Sequence, residues 1–211
     1  MKMQGPNCKN PDHRRRNQWV ARFTARLIRK GVSLIVACGI ALSVLPRIGA
    51  QSEGTSEYPV KLAFLYHFAQ FVQWPPESFQ TSTAPLVVCI VGGDPFDPDL
   101  EQELLNHTVE RHPLAIMTVK RGADLRFCHM VFVPAPEWKQ EARVIDNVRG
   151  ASVLTVGETK GFAERGGIIN FTIDRNKLRF AINLDAAKQT PLTISSKVLA
   201  LAKIVRDPPH P

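Results

Sequence analysis

Apolar residues recur in three distinct patterns along this chain, and each predicts a different kind of element. From Tyr58 to Trp74 they return at intervals of three and four: Val60, Phe64, Phe68, Phe71 and Val72, widened by Leu62, Leu65 and Ala69. That spacing predicts a helix with one broad apolar face, and Tyr66, His67, Gln70 and Gln73 fall opposite it. Pro59 suits a first helical turn, and Trp74-Pro75-Pro76 ends the helix because a residue before proline is steered out of the α region. Phe71 and Trp74, at the end of this face, must therefore be covered by the domain's own core or by a partner. Leu86-Val87-Val88-Cys89-Ile90-Val91 is instead a continuous apolar run closed by Gly92-Gly93, as expected of a strand covered on both faces. The third pattern, Val32 to Leu45, is a short apolar run directly behind a basic segment and before Ile48-Gly49-Ala50.

The remaining segments alternate. A helix is expected over Pro98 to Asn106, a strand over Leu114 to Val119, a strand over His129 to Val133 and a helix over Lys139 to Val148, ended by Gly150. Further strands follow at Ser152 to Val156, Ile168 to Ile173 and Lys177 to Leu184, the last two joined by the short turn Asp174-Arg175-Asn176. Ser195 to Val205 carries Val198, Leu199, Leu201, Ala202 and Val205 at helical spacing before Asp207-Pro208-Pro209 stops it. The succession predicts a single α/β domain: a mixed sheet with mostly parallel βαβ connections, a C-terminal antiparallel hairpin, and helices on both faces. The domain is expected over residues 58–206, between a polar, disordered lead-in at 51–57 and a Pro-rich tail at 207–211.

The basic stretch and apolar run at the N-terminus read as a secretory signal over residues 1–50, with Ala50 before the cut. A run of fourteen residues falls short of the roughly 20 that span a bilayer. An uncleaved anchor and a lipid-modified Cys38 stay open as alternatives. Under each of these the cations precede the run, which sends the rest of the chain across the membrane. The leader also accounts for the basic composition. Ten of the chain's 27 Lys/Arg and one of its 19 Asp/Glu lie in residues 1–50, so residues 51–211 hold 17 bases and 18 acids. A near-neutral domain gives no electrostatic reason to expect nucleic acid.

Two cysteines remain beyond the leader, Cys89 and Cys128. An even pair in an oxidising compartment favours a bridge. A metal site built on Cys128 and His129 is the sharper alternative, weakened because neighbours on a strand point to opposite faces. The search for chemistry otherwise returns little. Gly92-Gly93-Asp94-Pro95-Phe96 resembles the GGDEF signature of diguanylate cyclases only in outline, with Pro95 where that signature has an acid. No Gly-x-Gly-x-x-Gly, Gly-Lys-Ser/Thr or Gly-x-Ser-x-Gly occurs. Asp94, Asp97 and Asp99 read as helix-start carboxylates in preference to a calcium loop. The histidines beyond the leader (His67, His107, His112, His129 and His210) lack zinc spacing. Gly166-Gly167 reads as a tight turn, Ser195-Ser196 as a helix cap, and Asn183 as a residue that satisfies a neighbouring backbone group. No catalytic, metal or cofactor-binding residue is assigned.

A longer series carries more information. Val60-Lys61, Phe64-Leu65, Phe68, Phe71, Trp74-Pro75, Pro85-Leu86-Val87-Val88-Cys89 and Gly92 through Phe96 resemble, in order, the front half of YfiR-family proteins. Cys128-His129, Val131-Phe132-Val133, Leu154-Thr155-Val156, Phe162 with Gly166-Gly167, Phe180-Ala181-Ile182-Asn183 and Ser195-Ser196 with Leu199 resemble the back half. The resemblance implies a periplasmic, non-enzymatic repressor of a YfiN-type membrane diguanylate cyclase, opposed by an outer-membrane lipoprotein of the YfiB type. It implies control of cyclic di-GMP and biofilm formation, an α/β fold that is often dimeric, and a bridge at the positions of Cys89 and Cys128. A second cysteine pair found in some members has no counterpart here. The rival function class is a small-ligand-binding or sensing domain, with its pocket expected near Gly92-Gly93 at the C-terminal ends of the strands.

Overall fold

Alternate residues of the central strands serve two different cores. A computed structural model describes residues 57–207; the leader, its cleavage site, Cys38 and most of the Pro-rich tail lie outside the described residues. Helix α1 (Glu57–Phe71) is followed by β1 (Val72–Gln73), a 3-10 turn (Pro76–Ser78) and β2 (Leu86–Val91). Then come α2 (Pro98–Leu105), β3 (Thr108–Val109), β4 (His112–Val119), β5 (Met130–Val133), a 3-10 segment (Ala135–Gln140) and α3 (Glu141–Asn147). The chain continues through β6 (Leu154–Gly157), β7 (Ile169–Asp174), β8 (Lys177–Asn183), α4 (Leu184–Lys188), β9 (Thr193–Ile194), α5 (Ser196–Leu199) and β10 (Lys203–Val205).

Eight strands form one sheet in the order β10-β8-β7-β6-β5-β2-β4-β3. The run from β7 to β4 is parallel throughout, and β7–β8 and β3–β4 are antiparallel. The expected mixed, mostly parallel α/β architecture is what the chain adopts. On one face Val88, Ile90, Met130, Phe132, Phe171 and Phe180 lie under α1; on the other Cys89, Val91, Val131, Val133 and Phe162 pack with Val144 and Val148 of the α3 region. This period-two division of β2 and β5 is why their runs are apolar at every position. The β7–β8 turn holds Arg175 and Asn176 at φ 48° and 58°, the geometry that suits a two-residue hairpin.

Three details depart from expectation. The buried stripe of α1 is Lys61, Leu62, Leu65, Phe68 and Ala69, while Val60 is 45% exposed. Leu62, Leu65, Phe68 and Ala69 belong to the expected face; the departures are Val60, which is exposed, and Lys61, which turns inward to meet Glu158. The final helix is only Ser196–Leu199: Lys203–Val205 leaves the helical pattern to pair in parallel with Ala181–Asn183 of β8. Leu201, placed on the apolar face by the helical spacing, is 76% exposed as a result. The segment before α3 is a 3-10 run with a kink inside it at Glu137 (φ −95°, ψ 15°).

Candidate functional site

The C-terminal end of the parallel strands is where an open α/β sheet ordinarily takes a ligand. Here that end is filled by the protein's own ion pairs. Gly92 sits at φ +80° directly after β2, and a Cβ there would overlap the Glu137 carboxylate. Glu137 is buried and accepts hydrogen bonds from Arg121 Nε and Nη2, both 2.6 Å. Those bonds hold its carboxyl below the ordinary carboxylate range against the opposing effect of burial. Next to it, Glu158 accepts from Lys61 Nζ, from Tyr58 Oη at 3.1 Å and from the Ala135 N–H at 2.5 Å. Burial works to lower the Lys61 pKa, but hydrogen bonds and charge from Glu158 and Glu57 outweigh it and keep the ammonium protonated. Arg165 closes a third pair on the buried Glu141. The pocket expected over Gly92-Gly93 is therefore occupied by Glu137, and Gly92 serves close packing.

Phe71 and Trp74 belong to a second construction. Phe71 is half-buried against the main core, and its carbonyl accepts from the Ser195 N–H at 2.9 Å. Val72 and Gln73 pair with Ile194 and Thr193, so the end of α1 is tied to the start of α5. Trp74 is also half-buried; its indole N–H donates to the His129 carbonyl at 3.1 Å. His129 is the hub of this corner. Its Nδ1 accepts from the Val87 N–H at 3.0 Å and its Nε2 donates to the Ser78 carbonyl at 3.1 Å. This pair of bonds requires a neutral ring with its proton on Nε2. Burial lowers the His129 pKa, and the nearby His112 pushes in the same direction. Phe79 is stacked between the two rings, 3.6 Å from His112 and 4.3 Å from His129 between centroids. Cys128, one residue away, points to the other core and bonds to Cys89. The two neighbours thus share no ligand, which removes the Cys128/His129 metal alternative.

The acidic cluster is likewise internal. Asp97 caps α2 by accepting from the Asp99 N–H at 2.9 Å, and Asp94 accepts from the Phe96 N–H at 2.9 Å. Among the described residues no group of three His, Cys, Asp or Glu is placed to hold a metal ion. Asn183 caps α4, its Oδ1 accepting from the Asp185 and Ala186 N–H groups at 3.0 Å each. Gly167 is required by close approach, since a Cβ there would overlap the buried Phe162 ring. Ser195 accepts from the Lys197 N–H at 3.3 Å, the capping role expected of it.

Two features carried no sequence signal. Trp138, on the 3-10 segment after β5, is 56% exposed, with Lys139 Nζ 5.5 Å from its ring centroid. A cleft of about 280 Å³ lies between the end of α3 and the end of α4, lined by Arg149, Arg165, Thr155, Gln189 and Asp207 among others.

The arrangement is that of an α/β domain whose buried carboxylates Glu137, Glu141 and Glu158 are engaged by cations and whose exposed aromatics, Phe127 and Trp138, lie on the surface. The chain belongs to the YfiR/HmsC-like family, which it matches over residues 58–203. No curated protein sequence matches it significantly.

Proposed function

We propose that this protein is an exported, non-catalytic regulator that binds the periplasmic domain of an inner-membrane diguanylate cyclase of the YfiN type and represses cyclic di-GMP signalling. The observation that carries the reading is the family match across residues 58–203. The Cys89–Cys128 bridge supports an oxidising compartment. A repressor of this kind acts by differential affinity for two states of its target; a 100-fold preference corresponds to about 2.7 kcal/mol and is enough to change output strongly. An outer-membrane lipoprotein of the YfiB type is the expected antagonist. Phe71 and Trp74 contribute the exposed halves of their rings to the contact, and Trp138 contributes a ring that the fold leaves largely uncovered.

Deleting the gene should raise cyclic di-GMP and surface attachment only while the cyclase gene is present. Unaltered cyclic di-GMP in a strain that expresses the cyclase would sink the proposal. Trp138→Ala should lose repression with its melting temperature unchanged, whereas Phe71→Ala and Trp74→Ala should lose both. A second reading, a small-ligand-sensing domain, is favoured by the cleft beside Arg149 and Arg165. Its signature is a ligand-dependent rise in melting temperature with no partner protein present.

A further inference from the structure

Charge is spread unevenly over this near-neutral domain. Residues 120–149 hold six Lys/Arg and four Asp/Glu, and two of those acids, Glu137 and Glu141, are buried. The rest of residues 51–211 holds 11 bases and 14 acids. The excess of cations lies on two stretches of chain that pack side by side, helix α3 with the 3-10 segment before it and the 120–127 segment after β4. The Arg143 guanidinium lies over Gly122, where a Cβ would come within 2.9 Å of it. Asn147, the last residue of α3, accepts from the Leu125 N–H at 2.8 Å and from Arg126 Nε at 3.0 Å. Lys120 and Arg143 line one small hollow together with Gln140. Lys120, Lys139 and Arg143 have no ion-pair partner among the described residues. Arg121 is fixed by two bonds to Glu137, yet its side chain is 65% exposed. An exposed ring stands at each end of this surface. Trp138 precedes α3, with Lys139 beside its ring, and Phe127 follows the Arg126 that is bonded to the end of α3.

We propose that this surface is where the protein grips the cyclase, and that the matching surface is a protein face carrying Asp and Glu between two apolar contacts. The inference rests on the regulator reading and adds the chemistry of the contact to it. Trp and Arg are the side chains that most often carry binding energy at protein interfaces. Here the Arg121 fork is already ordered by a buried carboxylate, so it loses little freedom when it meets a second one, which it matches in geometry. Lys120, Lys139 and Arg143 act over a longer range: they speed encounter with an acidic surface and turn away a basic one. Asp124 and Asp146 are exposed among these cations, so the surface is mixed in sign. That mixture suits a patterned protein face. A lipid plane of uniform negative charge would set both acids against its headgroups.

Inner-membrane vesicles from cells that express the cyclase should bind the exported protein, with affinity falling about tenfold or more as NaCl is raised from about 50 to about 300 mM. Lys120→Glu/Arg143→Glu should bind about tenfold more weakly at the lower salt and fail to repress cyclic di-GMP in the deletion strain. Its melting temperature should stay within about 2 °C of wild type. Lys139→Glu should weaken binding about threefold by itself, which keeps the test open if the double variant is destabilised. Arg111→Glu/Lys177→Glu makes the same charge change at exposed positions away from α3, and should bind and repress as wild type does. Arg121 is left in place because its loss would strand the buried Glu137. No loss in Lys139→Glu and in Lys120→Glu/Arg143→Glu while wild type represses, or an equal loss in Arg111→Glu/Lys177→Glu, overturns this surface and leaves the regulator reading standing. A wild type that neither binds nor represses overturns both. Protein-free phosphatidylglycerol vesicles that bind wild type and not Lys120→Glu/Arg143→Glu would assign the surface to lipid and overturn the protein partner.

Discussion

Removing the disulfide should cost this domain a large part of its stability, and the size of the loss can be worked from the topology. Cys89 lies in the middle of β2, Cys128 two residues before β5, and the bridge closes a loop with a sequence separation of 39. That loop contains α2, β3, β4 and the chain that returns from β4 past β2. In the chain-entropy relation, a loop of this length restricts the unfolded chain by about 4 kcal/mol at 25 °C. A domain near 150 residues loses roughly 2–4 °C of melting temperature per kcal/mol, so the Cys89→Ala/Cys128→Ala variant should melt about 8–16 °C lower. Both sulfurs are fully buried, so part of any loss in that variant comes from packing against Val91, Val131 and their neighbours. Wild type treated with a phosphine reductant keeps the sulfur atoms and isolates the loop effect. Melts followed by far-UV circular dichroism at pH 7 should therefore show most of the drop in the reduced wild type as well. Urea unfolding should show a steeper denaturant dependence once the bridge is gone, because the released chain exposes more surface. A reduced protein that melts within about 3 °C of the oxidised one, with two free thiols confirmed by titration, would refute the loop argument.

Three further outcomes are expected. His129 is held neutral by an accepted bond from the Val87 N–H, and its pKa is lowered by burial; its stabilisation is present above its ordinary value of 6.5 and lost as the pH falls below it. The melting temperature of wild type should therefore drop between pH 7 and pH 5 more than that of His129→Gln. Glu101 runs the opposite way: burial, then the hydrogen bond and charge of Asp94, push its carboxyl up to about 7. Stability from the protonated Glu101 carboxyl is present below its ordinary value of 4.5 and lost as the pH rises through about 7, so Glu101→Gln should gain in melting temperature over wild type at pH 8 and little at pH 5. Gly92→Ala combines a left-handed φ of +80° with overlap on Glu137, and should destabilise by about 2 kcal/mol or more in urea titration; a neutral result would show that Glu137 moves aside freely.

What the sequence revealed tracks the range of the forces involved. Strands β2, β5, β6, β7 and β8 were legible because burial on one or both faces is written directly into their apolar positions. Cys89 and Cys128 were legible as a pair because compartment and parity constrain them, whatever the fold. Residues 200–205 were not: Lys203-Ile204-Val205 continues a helical spacing, and only the waiting edge of β8 draws it into a strand. The two-residue strands β1, β3 and β9 are too short to show a period at all. Helix α4 escaped because its start depends on Asn183, which also ends a strand, so one residue carries both signals. Lys61 was invisible for a different reason. It is buried by Glu158, 97 positions away, and nothing local distinguishes it from a lysine on a solvated helix face.

That buried pairing also explains why a domain with this sheet order carries no evident site at its usual place. An open parallel sheet binds ligands beyond the C-terminal ends of its strands because backbone dipoles and connecting loops leave a polar crevice there. In this chain the crevice is filled from within. Glu137 occupies the space over Gly92 and is neutralised by Arg121; Glu158 collects Lys61, Tyr58 and the Ala135 N–H; Glu141 takes Arg165. Each carboxylate is buried with a cation already on it, so breaking a pair to admit a ligand would leave a buried charge without its partner. The same bracing fixes the 3-10 segment that follows β5, because Glu137 and Ala135 both lie in it. Trp138 is therefore an exposed indole on a backbone that is held at two neighbouring points. An aromatic presented in this way loses little conformational freedom on contact and contributes a large area, which is what a protein partner selects and a small solute does not.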